Sequence, residues 1–151
     1  MQQANESGLS PAQCQDFRRL AGIMVPPSAE FKVPGADDEA IFNDVLRSLG
    51  RDLGDVRSAL AQLSTLAGGS FSELDHARQK SIADSFLHSG TPEVTTLGRT
   101  ILQCYYRDDR VVRSLGLEPR PPFPKGHTLE QGDWSLLDAV RGRAKMWRDA
   151  P

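Results

Sequence analysis

Cysteine is scarce in this chain of 151 residues, and the two present do not make a disulfide scaffold. Cys14 and Cys104 are too few for a framework of bridges. Each falls at an apolar helical position, so buried free thiols are the expected state, with a single bridge as the alternative. Long hydrophobic runs are also missing, and none reaches the length of a membrane span. The opening MQQANESGLSP is polar and has no apolar signal core. Arg18–Arg19 followed by LAGIMV is only superficially like a twin-arginine signal, because its apolar run is short, lies late and ends in Pro26–Pro27. A cytoplasmic location is the expectation.

Catalytic motifs are missing as well. SLGLEP and LAGGSF lack the spacing of a glycine-rich phosphate cradle and have no strand before them. His76, His88 and His127 are isolated, and no Cys/His cluster has metal-ligand spacing. His76 follows Asp75, but such a neighbour on a helix reads as solvated surface. No G-x-S-x-G motif sets a nucleophile on a strained turn. Asp37–Asp38 and Asp108–Asp109 are adjacent carboxylates, which suits helix caps better than a glycosidase pair. No catalytic residue, metal site or cofactor site is expected in this chain.

Charge of one sign is not in excess either: the net charge is −2. Its distribution is uneven. Residues 99–151 hold ten Lys/Arg and seven Asp/Glu, a balance of +3, which leaves −5 for residues 1–98. An acidic front and a mildly basic tail suit a partner with an acidic surface, although a solvated face reads equally well. Tyr105 and Tyr106 beside Arg107, Arg110 and Arg113 have the outline of a stacking-plus-phosphate patch. The aspartates among them cancel much of the field, and no nucleic-acid partner is expected.

What is present is helical periodicity. Ser10–Pro11 is a cap followed by proline at the first helical position, and Phe17, Leu20 and Ala21 place a helix at about 11–24. Residues 1–9 read as disordered. After Pro26–Pro27 comes a linker whose Phe31 and Val33 are expected to pin it to the surface. Asp37–Asp38 open a second helix with Ile41, Val45, Leu46 and Leu49, closed by Gly50. A third helix spans about 52–67, with Leu53, Val56, Leu60, Leu63 and Leu66 on one face and Gly68–Gly69 at its end. Ser70 or Ser72 caps a fourth, Ser72 with Asp75 making an approximate capping box. Thr91–Pro92–Glu93 starts a fifth that carries Ile101, Leu102, Tyr105 and Tyr106. Asp108–Asp109 and Gly116 bracket a sixth at about 108–115. The fold expected is all-α, an irregular helical bundle over 1–116.

Beyond Gly116 the helical signal stops. Pro119, Pro121, Pro122 and Pro124 fix φ and push their predecessors to extended geometry. Residues 117–151 therefore read as an extended, proline-rich strap and terminal anchor within the same domain. Ordering each residue costs roughly 1–2 kcal/mol of backbone entropy, less where proline already restricts the unfolded chain. Phe123 and Trp134 are the anchors available to offset that cost. Burying an aromatic removes roughly 150–250 Å² from water, worth about 4–6 kcal/mol before costs. A long structureless segment is unusual unless it serves a function or is disordered. The favoured reading lays the strap across a partner chain; the alternative folds it back on its own helices. In the final stretch Leu136, Leu137 and Val140 read as core or contact residues, Gly142 weakens a helix, and Met146–Trp147 make a second anchor.

Phe17, Leu20, Ala21, Ile23 and Pro26 at the front, and Leu102, Tyr105, Tyr106, Leu115 and Gly116 at the back, give a pattern that resembles the gluconate 2-dehydrogenase subunit 3 family. The strap and Asp133–Trp134–Ser135 look like the tail of one branch of these small subunits. The resemblance implies an all-helical, non-catalytic companion. Its partner would be a large FAD-dependent dehydrogenase subunit of the glucose–methanol–choline (GMC) type, oxidising a sugar, polyol or sugar acid and passing electrons to a cytochrome or other acceptor. Many members carry a twin-arginine signal and this sequence shows none, which leaves a cytoplasmic complex or periplasmic co-export with the large subunit. The partner-binding residues expected are Tyr105 and Tyr106, with Arg107, Arg110, Arg113 and Arg120 pairing to partner carboxylates, and Phe123, Trp134 and Trp147 as apolar anchors. The alternative is a stand-alone helical adaptor or regulator.

Overall fold

The computed structural model describes residues 8–148 apart from Pro122 and His127. The expectations for residues 1–7, for Pro122 and for His127 lie outside the described residues. The chain divides into two compact units, Met1–Pro119 and Arg120–Pro151. The architecture is all-α: the described residues contain no strand, only an isolated antiparallel bridge between Ser28 and Val33.

The first unit holds α1 (Pro11–Met24), α2 (Glu39–Arg47), α3 (Leu53–Ala67), α4 (His76–His88), α5 (Pro92–Tyr105) and α6 (Asp109–Ser114). A full capping box starts α1: Ser10 accepts from the Gln13 N–H, and the Gln13 side chain accepts from the Ser10 N–H. Asp38, Thr91 and Asp108 cap α2, α5 and α6 by the same chemistry. Gly68 ends α3 at φ +70°, where a side chain would be strained. The centre of the bundle is the α3–α5 pair. On it pack α2 against α5, α4 against both, and α1 against α3 and α4. The apolar faces meet in one core that includes the wholly buried Phe17, Phe71, Phe86, Leu63, Leu97 and Ile101. Phe17 and Phe42 meet edge to face at 5.4 Å.

Four local readings change. Gly8 and Leu9 are not disordered: Leu9 is buried in the core and the Gly8 carbonyl accepts from Arg57. Of the linker pair, Val33 packs against the core while Phe31 stands exposed at the tip of the bridged loop. Leu66 is exposed, and small Ala59 and Ala67 complete the buried stripe of α3 in its place. Neither Ser70 nor Ser72 caps α4. Asp75 does, accepting from the Arg78 N–H. The serines answer to α1 instead. The Ser70 hydroxyl and the Ser72 N–H both donate to Oδ1 of buried Asp16, at 3.1 and 2.8 Å. One turn on, Arg19 donates at 2.7 Å to the side chain of Gln79, whose amide donates to the carbonyls of Phe71 and Ser72. Asp16 and Arg19 lie three residues apart on one helix face, so α1 locks the turn between α3 and α4 with every partner satisfied.

From Leu117 through the start of the second unit to Asp133 there is no helix among the described residues, and the Phe123–Pro124 bond is cis. A 3₁₀ turn over Trp134–Leu137 follows, then the single-turn α7 (Asp138–Arg141), which stops at Gly142.

Candidate partner-binding surface

The end of α5 and the whole of α6 hold the first group of candidate residues. Tyr105 and Tyr106 part company there. Tyr105 is 5% exposed, its hydroxyl donates to the Pro34 carbonyl at 3.2 Å, and burial pushes its phenol up from the ordinary value. It is a core residue that ties α5 to the 26–37 loop. Tyr106 is 56% exposed and leans edge-on against Tyr105 at 5.3 Å.

Three of the arginines already hold carboxylates of their own chain. Arg107 places Nε and Nη2 on Asp44 Oδ2 at 2.9 and 2.6 Å, and Nη2 also donates to Ser48 Oγ. Arg110 joins two helix caps: its guanidinium donates to Asp38 at 2.7 Å and to Asp108 at 2.9 and 3.0 Å. Those donated bonds hold both carboxyls below the ordinary carboxylate value and raise the arginine in turn. Arg113 pairs with Asp109 one turn back at 3.1 Å. Cys104, buried below Arg107, has its thiol pushed up by desolvation; neither cysteine is in a disulfide, and Cys14 is half-buried rather than buried. This cluster fixes α5 and α6 to α2 and leaves Tyr106 as its outward apolar group.

A shallow groove of about 410 Å³ runs along α5, lined by Leu87, Val94, Gly98 and Leu102 among others. It is an apolar trough; Arg99 at its edge is turned to Asp52 at 3.0 Å. The described residues contain no group of three potential metal ligands, and no helix among them is long and apolar enough to cross a membrane.

The remaining candidates belong to the second unit. No described residue from 121 to 148 is buried. Phe123 is 85% exposed, Trp134 62% and Trp147 71%, and Leu136, Leu137 and Val140 are exposed too, so none of these forms a core. The segment is locally organised all the same. Arg120 donates to the Gly126 carbonyl at 2.6 Å, bridging the turn that carries Phe123. Asp133 accepts from the N–H and hydroxyl of Ser135, which lowers its carboxyl and starts the turn bearing Trp134. Lys145 sits 5.7 Å from the ring of Trp147. Two exposed apolar side chains were not singled out from the sequence, Leu117 and Leu129. Neither has periodic apolar neighbours that would flag it.

The surface so defined is that of a helical bundle followed by an exposed, apolar and basic tail. Comparison of the chain with protein-family models, with curated proteins and with solved structures gives no match.

Proposed function

We propose that this chain is a non-catalytic small subunit that binds, stabilises or helps mature a large FAD-dependent dehydrogenase of the GMC type, acting on a sugar, polyol or sugar acid. The observation that carries the reading is the tail. Residues 121–148 bring two tryptophans, a phenylalanine and several aliphatic side chains, and no described one of them is buried. Such a stretch gains little from its own folding, because it leaves most of its aromatic area in water while still losing backbone freedom. Laid across another protein, the same aromatics become central anchors of the kind that dominate binding energy. The all-helical bundle and the short motifs that resemble those of the gluconate 2-dehydrogenase subunit 3 family support a flavoprotein as that partner.

The test is native purification of the tagged chain from its source cells, read by mass and by flavin absorbance. A yellow complex containing a much larger chain supports the companion reading. A colourless monomer overturns it and puts the helical-adaptor reading first.

A further inference from the structure

We propose that residues 134–148 recognise a two-zone surface on the partner, an apolar groove with a cluster of carboxylates at one end. The inference rests on the companion-subunit reading and takes the large flavoprotein as the partner. The segment is itself divided. Its first half, the 3₁₀ turn and α7, presents Trp134, Leu136 and Val140, all exposed. Gly142 ends the helix, and the second half changes character. Residues 141–148 hold Arg141, Arg143, Lys145 and Arg148 and no acidic residue, a balance of +4 in a chain whose net charge is −2, so the rest sums to −6. Arg141 is occupied by Asp138 at 3.3 Å. Arg143, Lys145 and Arg148 lie around the exposed Met146 and Trp147.

Charge of this sign concentrated in eight residues steers encounter with a negative surface, while the acidic remainder of the chain is repelled by the same surface. The tail therefore meets an acidic partner first, and the apolar half then supplies the contact area. Tryptophan among cations also suits an anionic lipid surface. That binding mode requires an amphipathic helix of several turns, and here the helix is four residues long and stops at Gly142. A protein surface is the better fit.

The test uses the full chain carrying Arg143→Glu, Lys145→Glu and Arg148→Glu together. The wild type and a control, Arg51→Glu, whose side chain is almost fully exposed in the first unit, are run beside it. Each is titrated with the isolated flavoprotein that the wild type captures, at low and at raised salt, with helicity checked by circular dichroism. The triple variant is expected to keep its helicity and to bind at least about tenfold more weakly, as three lost pairs and three new repulsions require. Its binding is expected to lose the salt dependence of the wild type, and the control is expected to match wild type. Equal binding by the triple variant overturns this inference and leaves the companion reading standing. Failure of the wild type to capture any flavoprotein removes both. Sedimentation with phosphatidylglycerol vesicles that the triple variant loses, beside undiminished flavoprotein binding, reassigns the segment to lipid.

Discussion

Asp16 and Arg110 show how single side chains hold distant parts of the bundle. Asp16 is 7% exposed and accepts from a hydroxyl and an N–H of the turn that follows α3. A hydrogen bond to a carboxylate is worth roughly 1.5–3 kcal/mol, and the donors left behind at Ser70 and Ser72 are half-buried, so water recovers part of their loss. Asp16→Ala is therefore expected to destabilise the fold by about 2–3 kcal/mol in urea denaturation, within the range for loss of a buried polar partner. Arg110 works nearer the surface, and its guanidinium is nearly half exposed. Water screens its two pairs, so Arg110→Ala should cost only about 1 kcal/mol. Its pH signature is the sharper readout. Asp38 and Asp108 have folded values below the ordinary 3.8. Their contribution is complete above that value and is lost as pH falls through the depressed values. The stability gap between wild type and Arg110→Ala should thus be full at neutral pH and close below the carboxylate range. A gap that persists unchanged in acid would mean that packing, and not charge, is what Arg110 supplies.

Helix boundaries depend on whether a capping residue is free to cap. At α1, α5 and α6 the sequence signal and the structure agree, because Ser10, Thr91 and Asp108 have no competing partner that outbids the adjacent N–H groups. At α4 the local chemistry is ambiguous. Ser70, Ser72 and Asp75 are all competent caps, but the Ser70 hydroxyl donates to Asp16, 54 residues away, and the Ser72 hydroxyl meets that of Ser70. Only tertiary packing decides such a case. Asp75→Ala is expected to lower stability by about 1 kcal/mol through α4 alone. Ser72→Ala removes only a side chain, since its N–H makes the bond to Asp16, and should change little. Equal losses from the two would return the cap to Ser72. The arginine cluster was illegible for the same reason. Arg107 and Arg110 read as cations open to a partner in sequence, while Asp44 on α2 and Asp38 at its cap, which they hold, sit 63 and 72 residues earlier. Tyr105 and Tyr106 are adjacent in an unbroken helical pattern, yet the rotation of about 100° between neighbours sends one to the core and the other to solvent. The exposure of the tail was more legible, because proline-rich sequence without periodicity has no face to bury.

The two units differ in what holds them. Every buried apolar side chain among the described residues falls between Leu9 and Val111. A chain ended at Pro119 keeps that entire set, so it is expected to retain the helical circular dichroism and the cooperative melting of the full chain. Loss of cooperative melting on truncation would mean that the tail contributes to the bundle's stability. The tail, with no core, can gain stability only from a surface outside itself, and Trp134 is the side chain through which that gain should be felt most. It is 62% exposed, stands at the start of an ordered turn capped by Asp133, and is one of the tail's two exposed tryptophans. Trp134→Ala is therefore expected to leave helicity and melting of the isolated chain unchanged and to weaken association with the proposed flavoprotein partner by more than about 1 kcal/mol. The two measurements separate the roles. A variant that binds normally but melts early would place Trp134 in the chain's own stability and remove it from the interface. One that melts normally but no longer brings down the flavoprotein would show that the tail is the part of this molecule that finds its partner.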